Sequence, residues 1–333
     1  MLQYALVFLA SAAVVVVAGT ILTRCADDIA EATGLGRAWI GSVLLATATS
    51  LPELGTDITA VRIHAANLAV GDLFGSSLAN MLILAVLDQF ARQGKVLRGA
   101  AIENALIACL AIVLNAMGAL FVLTGSSWSP LGISPQSLLL LLVYLFGTRA
   151  VYRNGTRHTA AAVKSGTDRK RTGARSLRRS AIWFAGAAMA ILLAAPALAW
   201  SAKELAQLTG LGDSFVGTWL LGLATSLPEF VTAFAAVRIG QFDLAVGNLF
   251  GSNSFNMIIF VALDLASPSG SVFQRLNPIH AISATLAVIL MSLGLASILY
   301  RAERRFLMIE PDSALMLAVY LLAIWILYAH SGR

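Results

Sequence analysis

An apolar stretch from Gly41 to Ile63, GSVLLATATSLPELGTDITAVRI, is interrupted at its midpoint by Ser50, Leu51, Pro52 and Glu53. The same design returns as GTWLLGLATSLPEFVTAFAAVRI, Gly217 to Ile239, with Pro228 and Glu229 in register. At a constant offset of 176, the separation of Glu53 from Glu229, Gly34 to Met81 aligns with Gly210 to Met257 without a gap, and more than half of the positions are identical. Similarity between unrelated apolar segments does not place glycines, prolines and glutamates in register. The chain therefore contains an internal repeat built around a proline and a carboxylate set inside its most hydrophobic segments.

That setting is a lipid bilayer. The 333 residues are 58% hydrophobic and 12% charged, and the mean hydropathy of +0.81 exceeds what a water-soluble domain accommodates. Stretches of about 20 apolar residues, enough to cross the hydrocarbon layer as helices, recur from end to end. They predict an all-α membrane protein with about ten spans, near Leu2–Leu22, Ala38–Val61, Leu68–Phe90, Ala100–Leu123, Pro135–Val151, Ala181–Trp200, Phe215–Val237, Leu244–Ala266, Pro278–Leu299 and Ser313–Ala329. No Lys or Arg precedes the first run, and Arg24 follows it. That order favours a retained helix over a cleaved signal.

The net charge of +6 does not indicate nucleic-acid binding, because the basic residues crowd into one connection, from Arg149 to Arg179, between the fifth and sixth spans. By the positive-inside rule this linker is cytoplasmic and both termini lie outside, in a cell (inner) membrane. Arg92, Lys95 and Arg98, and Arg301, Arg304 and Arg305, fall on the same side. The expected organisation is a first five-helix half at 1–152 carrying the repeat at 34–81, a basic linker at 153–179, and a second five-helix half at 180–333 carrying the repeat at 210–257. An odd number of spans per half turns the second copy over in the bilayer, giving inverted repeats with broken helices at mid-membrane, an architecture of transporters. Cys25 and Cys109 form no spaced framework and are expected as free thiols.

The repeat also prescribes a chemistry. Pro52 has no N–H to give the Ala48 carbonyl and loosens the bond to Thr49, and Pro228 acts likewise at Ala224 and Thr225. Thr49, Ser50, Thr225 and Ser226 place hydroxyls beside these carbonyls, with Glu53 and Glu229 just beyond. A carboxylate at bilayer depth is costly unless compensated, and Arg62 and Arg238 lie more than two turns away. A bound cation would supply the missing charge; a protonated glutamate bonded to backbone is the other arrangement. Ser76 with Asn80, and Ser252 with Asn256, are spaced four apart on one helix face, behind Gly71-x-x-x-Gly75 and Gly247-x-x-x-Gly251, which allow close helix approach or simple packing. An all-oxygen set without His or Cys suits Ca²⁺ and Na⁺ better than zinc or copper.

At ATSLPE (Ala48–Glu53 and Ala224–Glu229), GDLFGSSLAN (Gly71–Asn80) and GNLFGSNSFN (Gly247–Asn256) the sequence resembles the cation/calcium exchanger superfamily, in its sodium/calcium exchanger branch with two inverted α-repeats. The resemblance implies a secondary antiporter exchanging Ca²⁺ for Na⁺ by alternating access. It implies Glu53 and Glu229 as shared central ligands, with oxygens from Thr49, Ser50, Thr225, Ser226, Ser76, Ser252, Asn80 and Asn256. It implies no cofactor, enzymatic activity or obligatory protein partner beyond the transported ions and the bilayer. The sequence departs from internal symmetry at Asp72 against Asn248, Asp57 against Ala233 and Ser77 against Asn253. Asp57 and Asp72 are thus either an accessory cation or proton site or carboxylates bonded to backbone or water at a pathway mouth. A proton-coupled divalent antiporter is the alternative reading, then a cation channel, and an intramembrane enzyme ranks last because no nucleophile accompanies the glutamates.

Overall fold

The computed structural model describes residues 1–90, 96–100, 102–125, 128–129, 132–164, 174–208, 225–268, 270–300 and 311–330. In chain order the elements are α1 (Leu2–Thr33), α2 (Arg37–Trp39), a π-helical stretch (Ile40–Leu45), α3 (Ala46–Arg62), α4 (Ala66–Phe90), α5 (Val96–Gly99) and α6 (Ile102–Thr124). They continue with α7 (Pro135–Lys164), α8 (Ala174–Leu208), α9 (Leu227–Arg238), α10 (Phe242–Ala266), α11 (Ile279–Tyr300) and α12 (Pro311–His330). A short 3₁₀ turn at Val272–Arg275 lies between α10 and α11. Among the described residues there is no strand.

Eight of these helices are long and apolar enough to span a membrane. The two remaining predicted spans are the ones that carry the proline–glutamate motif. Ala38–Val61 is realised as α2, the π stretch and α3 in one helical run, and Phe215–Val237 is described only from Thr225 onward. Several helices outrun the predicted hydrocarbon-spanning segments. α1 continues to Thr33, α7 to Lys164 and α8 to Leu208, because helical hydrogen bonding need not stop where hydrophobicity does. α1 stops at Gly34, whose left-handed backbone (φ 71°) lets its N–H reach the Ala30 carbonyl at 3.0 Å.

Burial separates a core from a lipid-facing shell. In the apolar windows of α4 and α10, 72% and 67% of residues are buried, against 28% in α1 and 22% in α12. Leu9, Phe146, Leu193 and Trp325 on the outer helices point away from the protein, as lipid-facing side chains should. The fold is thus α4 and α10 at the centre, the motif helices α3 and α9 beside them, and α1 with α8 packed together on one flank.

The two-fold register runs further than the matched sequence. Asn104 Nδ2 donates to Asp243 Oδ1 at 2.8 Å, and His280 Nε2 lies 3.1 Å from Asn67 Oδ1. Asn67 with Asp243, and Asn104 with His280, are each separated by the same 176 residues, so this is one interhelical pair used twice. A Cβ on Gly118 would lie 3.2 Å from Phe74, and one on Gly294 would lie 3.1 Å from Phe250, again in register. Asp88 and Asp264 form a third such pair. Asp88 accepts from Leu97 N at 2.9 Å and from the Ser313 hydroxyl. Asp264 accepts from Val272 N at 2.8 Å, Ser134 N at 2.8 Å and Ser134 Oγ at 2.6 Å. Each aspartate ties the end of a central helix to the start of the last helix in a half.

Asp264→Ala strands three buried donors at about 1–3 kcal/mol each. It is expected to destabilise the protein by about 3 kcal/mol or more, with Asp264→Asn losing less, as read by thermal unfolding in detergent. Cys25 is buried and Cys109 exposed, and both are free thiols.

Candidate cation site between the two repeats

The halves meet at their carboxylates. Glu53 on α3 is 4% exposed, and Glu229, in the first turn of α9, is fully buried. Ser76 on α4 donates its hydroxyl to Glu53 Oε1 at 2.7 Å. Ser50, in the first repeat, reaches across to Glu229 Oε1 at 3.5 Å, and Thr49 faces the same carboxylate. The two glutamates stand within electrostatic reach of each other. In both, the second oxygen, Oε2, is buried and has no hydrogen-bond donor among the described residues. Arg37 pairs with Asp27 at 2.5 Å, joining α1 to α2. Arg62 and Arg238 sit exposed at the ends of α3 and α9, the latter over the Phe234 ring at 5.9 Å.

The interruption takes a different form in the two copies. Pro52 lies inside α3, whose helix continues through it, so the Ala48 carbonyl lacks its usual donor while the axis is kept. The irregular stretch comes earlier, as the π turn at Ile40–Leu45. In the second copy Pro228 falls in the first turn of α9, and Ser226 (φ −84°, ψ 8°) precedes it in a non-helical conformation. Glu229 is thereby placed at a helix N-terminus, where unpaired N–H groups favour negative charge. Ala224 lies outside the described residues.

Around the carboxylates, side-chain amides are tied by their nitrogens and present their oxygens. Asn80 Nδ2 donates to Asn253 Oδ1 at 2.8 Å, Asn256 Nδ2 to the Leu73 carbonyl at 3.4 Å, and Asn248 Nδ2 to Thr232 Oγ1 at 2.9 Å. The Oδ1 atoms of Asn80, Asn256 and Asn248 are buried and accept nothing among the described residues. The hydroxyls of Ser226 and Ser252 are also buried without partners. The Thr49 hydroxyl also lies 3.2 Å from the carbonyls of both Leu45 and Ala46. Thr225 is half-buried beside Ser226.

Buried polar atoms are nearly always paired, since each unpaired one costs roughly 1–3 kcal/mol. Buried carboxylate and amide oxygens that accept nothing among the described residues are a set that a cation would satisfy. Among the described residues no group of three or more His, Cys, Asp or Glu side chains is arranged to hold a metal.

Asp57 and Asp72 lie to one side. Asp57 is 2% exposed with Oδ2 unpartnered, Asp72 is half-buried, and both are within electrostatic reach of Glu53. Their counterparts are Ala233 and the Asn248–Thr232 pair, to which Thr23 of α1 adds a hydrogen bond onto the Thr232 carbonyl at 3.1 Å. One flank of the centre is therefore acidic and the other neutral.

Sequence reasoning singled out no role for Asn253, Asn115, Asn248 or Thr232. Asn253 holds Asn80 through its Oδ1 and reaches the Ser77 carbonyl at 3.4 Å, while Asn115 Nδ2 donates to the Asn253 carbonyl at 3.1 Å. The broken symmetry at Ser77/Asn253 was the available signal for Asn253; Asn115 has no repeat partner and gave none. Asn253→Ala releases the Asn80 amide without touching either glutamate. It is expected to weaken cation affinity about ten-fold with the fold retained, as measured by Ca²⁺ titration of the purified protein.

Residues 3–152 and 179–329 match a family described as "Sodium/calcium exchanger protein". The chain is 28% identical to inner membrane protein YrbG of Escherichia coli over 255 residues, 75% of this chain and 76% of that one. It is 41% identical to sodium/calcium exchanger MaX1 of Methanosarcina acetivorans over 58 residues, 17% of each. The fold is shared with the sodium-calcium exchanger NCX_Mj soaked with 10 mM Na⁺ and zero Ca²⁺, at a TM-score of 0.74 and 20% identity, covering 97% of this chain and 98% of that one.

Proposed function

Because the chain belongs to the sodium/calcium exchanger protein family, a family of membrane exchangers rather than enzymes, we propose that it is a secondary antiporter exchanging Ca²⁺ for Na⁺ at the centre defined by Glu53 and Glu229. The observation that carries this reading is the pair of buried carboxylates, one from each half, each with an oxygen that no donor among the described residues satisfies. Ser50, Thr49, Ser226, Thr225, Ser76, Ser252, Asn80 and Asn256 supply the surrounding oxygens. Ca²⁺ and Na⁺ compete for overlapping subsets of these atoms.

Exchange follows from the charge. An empty centre with two carboxylates is too costly to enclose at low dielectric, because each unpaired charge at mid-membrane costs about 3 kcal/mol or more. A loaded centre is close to neutral and can be closed off and reopened on the other side. α1 packs on α9 and α8 on α3, so this apolar pair is placed to slide against the core and alternate access. The basic connection between the halves faces the cytoplasm and the termini face outward, in the cell (inner) membrane.

Asp57 and Asp72 favour a second reading, in which protons replace Na⁺ as the coupling ion. Ion-swap flux in proteoliposomes separates the two. Ca²⁺ uptake is expected when a Na⁺ gradient is imposed and not with a K⁺ or pH gradient of equal size. Uptake driven by the pH gradient alone would assign proton coupling instead.

A further inference from the structure

On the flank away from the central carboxylates, α1 and α8 run antiparallel and leave between them a groove of about 540 Å³. Its walls are apolar, formed by Val14, Val17 and Ile21 from α1 and Trp183, Ala187 and Ala190 from α8. A cavity of about 280 Å³, lined by Arg178, Arg179, Ile182 and the same Trp183, continues it at one end. Trp183 borders both, so the hydrophobic channel and the cationic hollow adjoin at its side chain. Ser180 donates to Asp28 at 3.0 Å, which sets this end of α8 beside Asp28 of α1.

Arg178 and Arg179 are exposed, and among the described residues neither has an ion-pair partner. The channel lies within the membrane-spanning parts of both helices, so its surroundings are acyl chains. Its mouth lies where the apolar window gives way to charge, and Trp183, 54% exposed, sits at that boundary as interfacial aromatics do.

We infer that the α1–α8 groove is a binding site for an anionic phospholipid, with an acyl chain along the apolar wall and the phosphate headgroup between Arg178 and Arg179. Unpaired guanidinium groups select a phosphate by charge and by forked hydrogen bonding. A zwitterionic headgroup carries an ammonium that like charge on Arg178 and Arg179 repels, so net negative charge is what the pair selects. The inference goes beyond ion exchange and does not depend on it. It nevertheless places a lipid against the helix whose Thr23 bonds to α9.

The test is a titration of the full-length protein, purified in lipid-free detergent, with phosphatidylglycerol and with phosphatidylcholine of identical chains, read as bound lipid by native mass spectrometry. The wild type is expected to bind phosphatidylglycerol at least ten-fold more tightly. Arg178→Gln/Arg179→Gln is expected to weaken phosphatidylglycerol about thirty-fold, removing the preference, since each arginine near a lipid headgroup contributes a similar increment. Gly186→Leu projects into the open groove, where a Cβ meets nothing within 4 Å, and is expected to weaken both lipids. Raising the salt should erase the wild-type preference, a readout that needs no folded variant. Equal wild-type affinity for the two lipids, or a preference that survives the arginine replacements or high salt, would overturn the inference.

Discussion

Replacing either central carboxylate, as Glu53→Gln or Glu229→Gln, is expected to abolish Ca²⁺ uptake driven by a Na⁺ gradient while leaving the protein folded. Two unit charges 4 Å apart at an effective dielectric of 20 interact by about 4 kcal/mol, and a divalent ion doubles that. Even a third of the doubled value is about a hundred-fold in affinity. Glutamine keeps the shape and can still accept from Ser76 at position 53 or from Ser50 at position 229. It also removes one of two facing buried charges, so thermal stability of the ion-free protein should hold or rise. Loss of transport together with equal or higher stability is the signature of a ligand. Loss of both would mark the glutamates as scaffold.

The second large effect is expected at Gly251. A Cβ there would fall on the backbone of Ser42, and one on Gly247 would lie 2.6 Å from the Ala38 carbonyl oxygen. From the other side, a Cβ on Gly41 would lie 2.8 Å from the Leu244 carbonyl oxygen. Backbone cannot turn aside as a flexible side chain can, so the π-helical stretch and α10 would have to separate. Gly251→Val is expected to destabilise by about 3 kcal/mol or more and to lower the yield of folded protein. Gly186→Ala, on the open side of α8, should leave both unchanged. Size-exclusion profiles and thermal unfolding of the pair check the contrast.

The parts of this fold that could be read from sequence are those a repeat makes visible. Pro52 with Pro228 and Glu53 with Glu229 announced themselves by recurring in register, and the serines and asparagines four apart on α4 and α10 followed from helix periodicity. Other features depend on tertiary contacts that leave no local trace. Pro52 gave reason to expect the break at its own position, yet α3 runs through it and the irregularity sits at Ile40–Leu45, where Gly41 and Ser42 meet α10. A π turn is set by what the helix crosses as much as by its own residues. The amide chain Asn80–Asn253–Asn115 joins three helices, and Asn115 looks like any polar residue in a helix until its partners are known. Asp88 and Asp264 stood in register, but their purpose became plain only once Leu97, Ser313, Ser134 and Val272 were seen to converge on them.

What most directly tests the whole account is the position of the ion itself, by anomalous scattering from crystals soaked in Ca²⁺ without Na⁺. One dominant peak in coordination range of both Glu53 and Glu229, displaced when Na⁺ is added, is the predicted result. A peak bound to one glutamate alone, or to Asp57 and Asp72 with the centre vacant, would contradict a cation shared between the two halves.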